Sequence, residues 1–205
     1  MTISPITSCV TAPGSKTDSE KEMSMRLKNS STHFGLIAVS LHWLVALTVF
    51  GLFALGLWMT SLDYYDSWYK HGPWWHKSIG IMLFLVLTAR LCWRLLNPPP
   101  AALSRQKPWE MKLAHAAHLA MYLLLFTIMI SGYLISTADN RAIEVFGWFE
   151  VPATITSLPM QEDIAGWVHL ILASTLIGLV VLHAAAALKH HFIDRDRTLK
   201  RIFGR

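Results

Sequence analysis

The stretch HLILASTLIGLVVLH, residues 169–183, places two histidines at the ends of an uncharged apolar run. In an α-helix, this spacing corresponds to a rise of about 21 Å and a rotation about 40° short of four full turns. Both imidazoles therefore lie on nearly the same side of one helix, one near each face of a membrane. Ionisable side chains inside an apolar span are costly and default to a functional role. We interpret His169 and His183 as one axial ligand for each of two haems, one haem in each leaflet.

The composition is typical of a membrane protein. Of the 205 residues 53% are hydrophobic and only 15% are charged, and nine tryptophans fit aromatic belts at the two membrane interfaces. No CxxCH motif is present, so any haem should be held non-covalently, as haem b. We predict an all-α membrane protein, a four-transmembrane-helix bundle enclosing two haems b. The four spans are expected at about residues 34–59, 75–96, 113–136 and 164–190.

Two tails flank the predicted cytochrome b domain, which covers residues 34–193. Residues 1–33 are polar and rich in Ser and Thr, and they lack the basic-then-apolar layout of a signal peptide. We expect them to form a disordered cytoplasmic tail. Residues 194–205 form a basic cytoplasmic tail, for which we expect a helical turn at the membrane interface.

The basic residues predict the orientation. All but three of the 18 Lys and Arg residues lie near the termini or near the loop between the second and third spans, the exceptions being Lys70, Lys77 and Arg141. The positive-inside rule then places both termini on the cytoplasmic side of a bacterial inner membrane. The excess of Lys and Arg on that side is suited to binding anionic lipid. No basic-aromatic groove or zinc spacing favours nucleic-acid binding. The outer loops are net acidic, with Asp63, Asp66, Asp139, Glu144, Glu150, Glu162 and Asp163.

Depth in the membrane predicts the remaining haem ligands. The fourth span begins outside, so His169 lies near the outer face and His183 near the inner face. The first span begins inside with His42 about two turns into it, and the second begins outside with His76 in its opening turn. Depth therefore pairs His42 with His183 and His76 with His169. Two histidines per iron leave no open coordination position, which suits electron transfer better than oxygen binding.

A second regularity supports the same four histidines. Each is followed one helical turn later by a small residue, which would leave clearance for a flat macrocycle, although small residues also pack transmembrane helices without haem. These residues are Ala46, Gly80, Ala173 and Ala187.

Four stretches, LHWLVAL, WWHKSIGIMLFLVLTARLCWRLLNPPP, LAHAAHLAMYLLLF and LHAAAALKHHF, resemble the bacterial cytochrome b561 family, within the wider group that includes cytochrome b subunits of nickel hydrogenases. The resemblance covers about residues 34–203, and GYLISTADNRAIEVFGWFEVPAT further resembles homologues from proteobacterial inner membranes. It implies a dihaem, four-helix protein that exchanges electrons with quinone. The family's axial histidines match His42, His76, His169 and His183.

Two basic residues are candidates for binding haem propionates. Arg90 returns to nearly the same helix face as His76 at the inner end, and Lys77 is adjacent to His76. Arginine that snorkels to the headgroups is an equally good interpretation. We expect Arg94, one turn further, at lipid headgroups.

Three further histidines are candidates for a quinone site. His115, His118 and His190 are expected together at the inner ends of the third and fourth spans, where an imidazole could hydrogen-bond a quinone carbonyl. Interfacial histidines without a ligand remain the alternative.

These predictions favour transmembrane electron transfer between a quinone pool and a donor or acceptor on the periplasmic side, with superoxide one candidate donor. The alternative is a haem-bearing anchor subunit that passes electrons for a separate redox enzyme or periplasmic partner, and VFGWFEV, residues 145–151, could form its docking surface. Whether the chain is itself a quinone-linked oxidoreductase stays open. A haem-free transporter is disfavoured, because the spans contain neither paired carboxylates nor inverted repeats.

Overall fold

Four long helices dominate the computed structural model, which describes residues 27–101 and 107–203. Each is long and apolar enough to cross a membrane, which confirms the prediction of a helical protein with four helices able to span a membrane. A fifth, short helix follows them, and a two-stranded sheet lies between the third and fourth helices. In chain order, the elements are α1 (Leu36–Met59), α2 (His71–Leu96), α3 (Pro108–Thr137), β1 (Ile143–Val145), β2 (Phe149–Val151), α4 (Gln161–Phe192) and α5 (Thr198–Ile202).

Three of the long helices start earlier than their apolar spans. α2 begins at His71 and carries Pro73 in its first turn, where proline leaves no intrahelical hydrogen bond unmade. α3 begins with Pro108, and the Lys107 backbone N–H donates to Glu110 Oε2 at 3.1 Å. These starts lie outside the apolar pattern because capping and proline chemistry set them, not hydrophobicity.

The four helices form two antiparallel pairs. α1 packs most closely against α2, and α3 against α4, whereas α2 and α3 share a smaller contact. The two pairs meet in one buried core to which every long helix contributes: Val45, Leu83, Leu87, Leu125 and Leu176. Most other apolar side chains are exposed, as expected where lipid is the solvent.

Leu176 is the residue of this core that lies between the two histidines of α4. It lies midway along the sequence between His169 and His183, and only 3% of it is exposed. The centre of the bundle is therefore filled with leucine and valine, and the two histidines of α4 lie on either side of this layer.

The loop after α3, at the end of the bundle that is predicted to face outward and is called the outer end, folds as a β-hairpin, which was not predicted. β1 and β2 pair antiparallel with Val145 opposite Phe149. The turn between them has positive φ at Phe146 and at Gly147, as a type I′ turn requires. The alternation of Ile143 and Val145, both buried, with exposed Glu144 was the strand signal in the sequence.

The hairpin is attached to the start of α2. Ser78 is fully buried; its hydroxyl accepts the backbone N–H of Phe146 at 3.2 Å and donates to the carbonyl of Glu144 at 3.4 Å. Because Ser78 is two residues after His76, the hairpin covers the end of the bundle where His76 lies.

Both tails contact the opposite end of the bundle. Residues 1–26 of the expected disordered tail lie outside the described residues. In the part of that tail that is described, the Asn29 amide donates to the carbonyls of Asn97 and Pro98 at 3.0 and 3.1 Å. The predicted C-terminal turn is present as α5. Trp43 holds it, donating from Nε1 to the Ile202 carbonyl at 3.1 Å and stacking on Phe203.

Candidate haem-binding site

The outer pair of histidines meets across the bundle. The ring centroids of His76 on α2 and His169 on α4 lie 6.2 Å apart, with their planes at 66°. Two imidazoles on opposite sides of one metal ion, each bound through a nitrogen about 2.0 Å from it, would have ring centroids roughly 6 Å apart. The observed separation therefore fits one iron atom between the two rings.

Backbone and hydroxyl groups of α3 fix the ring of His169. Its Nδ1 lies 2.9 Å from the carbonyl of Ile128 and 3.1 Å from the hydroxyl of Ser131. A carbonyl oxygen only accepts, so Nδ1 carries the hydrogen and Nε2 keeps its lone pair for a metal. Metal-bound histidines commonly have this second hydrogen bond, which fixes both tautomer and ring orientation.

Two glycines on neighbouring helices leave room for the outer imidazoles. A Cβ added at Gly132 would lie 3.1 Å from His169 Cε1, and one added at Gly56 would lie 3.3 Å from His76 Cε1. The sequence reasoning missed both, because it searched for small residues on each histidine's own helix. For one of those, Gly80, a Cβ would meet nothing within 4 Å, which leaves the predicted clearance beside His76.

The inner pair is less closely joined. His42 Nδ1 lies 3.0 Å from Arg90 Nη2, and His42, Arg90 and His183 are close enough for their charges to interact. The ring of His183 packs edge-on against a different histidine, His118 on α3, with centroids 5.1 Å apart. At this centroid distance the two rings pack directly against each other. The distance is shorter than the roughly 6 Å expected for two imidazoles on opposite sides of one iron.

The three histidines expected to share a quinone site do not share partners. His118 turns towards His183 in the bundle. His190 is half-buried, and its Nδ1 lies 2.8 Å from Asp194 Oδ2. His115 is exposed, and its Nδ1 bonds to the Met111 carbonyl of its own helix at 2.7 Å. The three histidines therefore have separate partners, since His115 and His118 turn in different directions on α3, and a quinone site formed by them stays a prediction.

An ionic network lies at the inner ends of α3 and α4. Lys189 Nζ contacts Glu110 Oε1 at 3.0 Å and Asp194 Oδ2 at 2.8 Å, and the second carboxylate also contacts His190. The hydrogen bond from Lys189 holds the pKa of the Asp194 carboxyl below its usual range. His190 thus lies beside a carboxylate that stays ionised at neutral pH.

The basic candidates for propionate binding lie near these histidines. Arg90 contacts His42, and Lys77 is half-buried next to His76 and forms no ion pair within residues 27–101 and 107–203. Arg94 was expected at lipid headgroups, but its guanidinium carbon lies 6.0 Å from the ring centroid of Tyr122, on the neighbouring helix. Arg94 therefore points towards α3.

These features suit a haem held without covalent attachment. The donors are imidazoles, the outer pair has the spacing for one iron, and His76 Nδ1 is buried without a hydrogen-bond partner in the described part of the chain. Four membrane-spanning helices with histidines facing inward define a class of protein: a haem-binding, multi-pass membrane carrier of electrons.

Comparison with known proteins identifies the family within this class. The profile described as prokaryotic cytochrome b561 matches residues 33–205, so the chain belongs to this family, as the resemblance predicted. Cytochrome b561 homolog 2 of Escherichia coli (strain K12) is 52% identical over 181 residues, 88% of this chain and 96% of that protein. The probable superoxide oxidase CybB of Yersinia pestis is 28% identical over 170 residues, 82% and 94% of the two chains.

A third relative is more distant. Cytochrome b561 homolog 1 of Escherichia coli (strain K12) is 25% identical over 130 residues, 63% of this chain and 73% of that protein. Membership of the family makes this chain a multi-pass membrane electron-transfer protein with b-type haem.

Proposed function

We propose that the chain carries electrons across the bacterial inner membrane between a quinone pool and a donor or acceptor on the periplasmic side. Two haems b would serve this path, with His76 and His169 as ligands of the outer haem and His42 and His183 as ligands of the inner one. When bound, haem supplies one-electron redox chemistry, while the protein fixes spacing and orientation. The single observation that carries the proposal is the 6.2 Å separation of the His76 and His169 rings.

The proposed orientation places both termini in the cytoplasm. Its support is the distribution of Lys and Arg, of which only Lys70, Lys77 and Arg141 lie at the hairpin end of the bundle among residues 27–101 and 107–203. We also propose the domain boundaries given above, with residues 34–193 as the haem domain. A C-terminal reporter active only in the periplasm would overturn the orientation and exchange the names of the two haems.

We place the quinone site at the inner end, with His190 as its leading residue. If its Nδ1 donates to the Asp194 carboxylate, Nε2 is left to accept a proton from a quinol hydroxyl, or to donate to a quinone carbonyl when protonated. His118 lies deeper, against His183, where it would act on the haem ligand. His115 on the exposed side of α3 has the weakest support.

Quinol oxidation kinetics test this placement. His190→Ala should slow haem reduction by quinol while both haem spectra stay intact. His118→Ala should alter the spectrum of the inner haem, because His118 packs against His183. His115→Ala is the matched control at the same end, and should change neither. Unchanged quinol kinetics in a His118→Ala, His190→Ala double variant would move the site to the outer side, beside His76.

Superoxide is a candidate donor on the outer side. The Yersinia relative is named a probable superoxide oxidase, and Lys70 and Lys77 lie seven residues apart at the start of α2, close in sequence to His76. The acidic surplus of the outer loops opposes broad attraction of an anion. Haem reduction by superoxide in the wild type, slowed in Lys77→Gln, would support this donor. Failure of superoxide to reduce a protein that quinol does reduce would exclude it.

The hairpin favours a second candidate function, an anchor that receives electrons from a separate protein. Aromatic rings connect the surface to the outer site. The ring centroids of Trp148, which is 75% exposed, and Phe146 lie 5.4 Å apart, and those of Phe146 and Trp75 lie 5.5 Å apart. Trp75 is next in sequence to His76. Glu144 and Glu150 face each other across the strands, and like charges in this position destabilise a hairpin. A basic redox partner would relieve that repulsion.

Salt dependence separates this candidate from the first. With a basic soluble cytochrome as probe, electron exchange should fall as ionic strength rises, and a Glu144→Gln, Glu150→Gln variant should lose most of that dependence. Glu162→Gln is the control, since Glu162 is also exposed at the outer end. Exchange with the probe that is insensitive to salt in the wild type would contradict a docking role for the hairpin.

A further inference from the structure

Two arginines at the inner end of α2 lack counter-ions among the described residues. Arg90 and Arg94 are half-buried one turn apart, and the guanidinium carbons lie 5.7 and 6.0 Å from the ring centroid of Tyr122. Neither forms an ion pair with a carboxylate within residues 27–101 and 107–203. The described carboxylates at this end have other partners: Glu110 and Asp194 contact Lys189, and Asp196 lies 3.6 Å from His190.

Apart from the contact between Arg90 and His42, the groups around this point are hydrogen-bond donors without an acceptor among the described residues. A guanidinium only donates, and the Tyr122 hydroxyl is buried with no partner in the described part of the chain. Two adjacent cations withdrawn from water without an anion are costly. The site therefore has the chemistry of a receptor for anionic oxygen atoms, and two negative charges would balance its two guanidinium groups.

The contact between Arg90 and His42 leads to the same conclusion. Arg90 now donates to His42 Nδ1, which requires that this nitrogen be unprotonated. If His42 binds iron through Nε2, its Nδ1 carries the hydrogen, and two donors would face each other. Arg90 must then turn to another acceptor close to the same imidazole.

We infer that Arg90, Arg94 and Tyr122 bind the two propionates of the inner haem. Haem b carries two carboxylates, which match two guanidinium groups, and arginine binds carboxylate through paired hydrogen bonds. The inference rests on the proposed haem at His42 and His183, and it assigns Arg94 and Tyr122 to that haem. A lipid phosphate offers similar oxygen atoms, so the test must separate the two sources.

Redox titration of the holoprotein in nanodiscs, monitored by visible spectroscopy, distinguishes haem propionate from lipid phosphate. Removing a cation next to a haem stabilises its ferric state, so Arg94→Gln should lower the midpoint potential of one haem and leave the other unchanged. Tyr122→Phe should cause a smaller shift in the same direction, and Arg94→Lys should restore most of the wild-type potential. Lys112→Gln, which removes an exposed charge from the same end, is the control and should change neither haem.

Two further measurements identify the anion. Each titration is run in phosphatidylcholine alone and with phosphatidylglycerol, and the shift in Arg94→Gln should be the same in both. Infrared redox difference spectra with haem carrying ¹³C-labelled propionate carboxyls should show band shifts in Arg94→Gln but not in Lys112→Gln. A shift seen only with phosphatidylglycerol would assign the arginines to lipid, and unchanged bands and potentials would overturn the inference. A wild-type protein without two haems would instead defeat the proposed function.

Discussion

Gly132→Ala should weaken binding of the outer haem through a single added methyl group. The new Cβ would lie 3.1 Å from His169 Cε1, closer than ordinary van der Waals contact, and 3.4 Å from His169 Nδ1. The imidazole cannot swing aside freely, because its Nδ1 is held at 2.9 Å by the Ile128 carbonyl and at 3.1 Å by Ser131. The ring must therefore leave its rotamer, or lose this hydrogen bond, or push α3 away from α4.

The size of the effect follows from the cheapest of these responses. Turning a side chain about 30° from its rotamer costs about 0.5–1.5 kcal/mol. That free energy corresponds to a roughly two- to thirteenfold loss of haem affinity. Alanine also favours the helix over glycine by about 1 kcal/mol, so the fold itself should not be weakened.

The assay is haem content per chain by the pyridine haemochrome method, with electron paramagnetic resonance of the ferric state, which responds to the imidazole ring planes. Gly178→Ala is the matched control, since a Cβ there would meet nothing within 4 Å. It should keep both haems. Full haem content and a wild-type resonance spectrum in Gly132→Ala would refute the argument that Gly132 makes room for His169.

Two other predictions concern stability. Leu176 is only 3% exposed, so Leu176→Ala should lower the free energy of unfolding by about 2–5 kcal/mol, measured in a thermal melt followed by circular dichroism. Leu182→Ala, at a position 68% exposed, is the control and should have little effect. Equal losses in the two variants would contradict the central leucine layer. Asp194→Asn should destabilise the protein at neutral pH. Because Lys189 depresses the pKa of Asp194 in the folded state, this contribution is present above the ordinary carboxyl pKa and is lost as pH falls through the folded value. Melting temperatures of variant and wild type should therefore converge in strong acid, and a constant difference across pH would refute the ion pair.

The parts of the fold that the sequence predicted depend on length, apolarity and depth. Four apolar runs defined four spans, and the 14-residue spacing in α4 was enough to place His169 and His183 on one face. Those features are local to each helix. Their agreement with the structure required no knowledge of how the helices meet.

What the sequence did not predict depends on contacts between elements. A transmembrane helix is apolar on all sides, so hydrophobic periodicity does not show which side faces inward. For that reason the sequence could not tell that His118 turns towards His183 while His115 faces outward. Gly56 and Gly132 were missed for a related reason, since each makes room for a histidine on another helix.

Haem stoichiometry tests the central claim most directly. Pyridine haemochrome analysis of the purified, folded protein should give two haems b per chain in the wild type and one in His76→Ala, which keeps the ligands His42 and His183. One haem or none in the wild type, or two in His76→Ala, would contradict the assignment of His76 and His169 to one iron and of His42 and His183 to another.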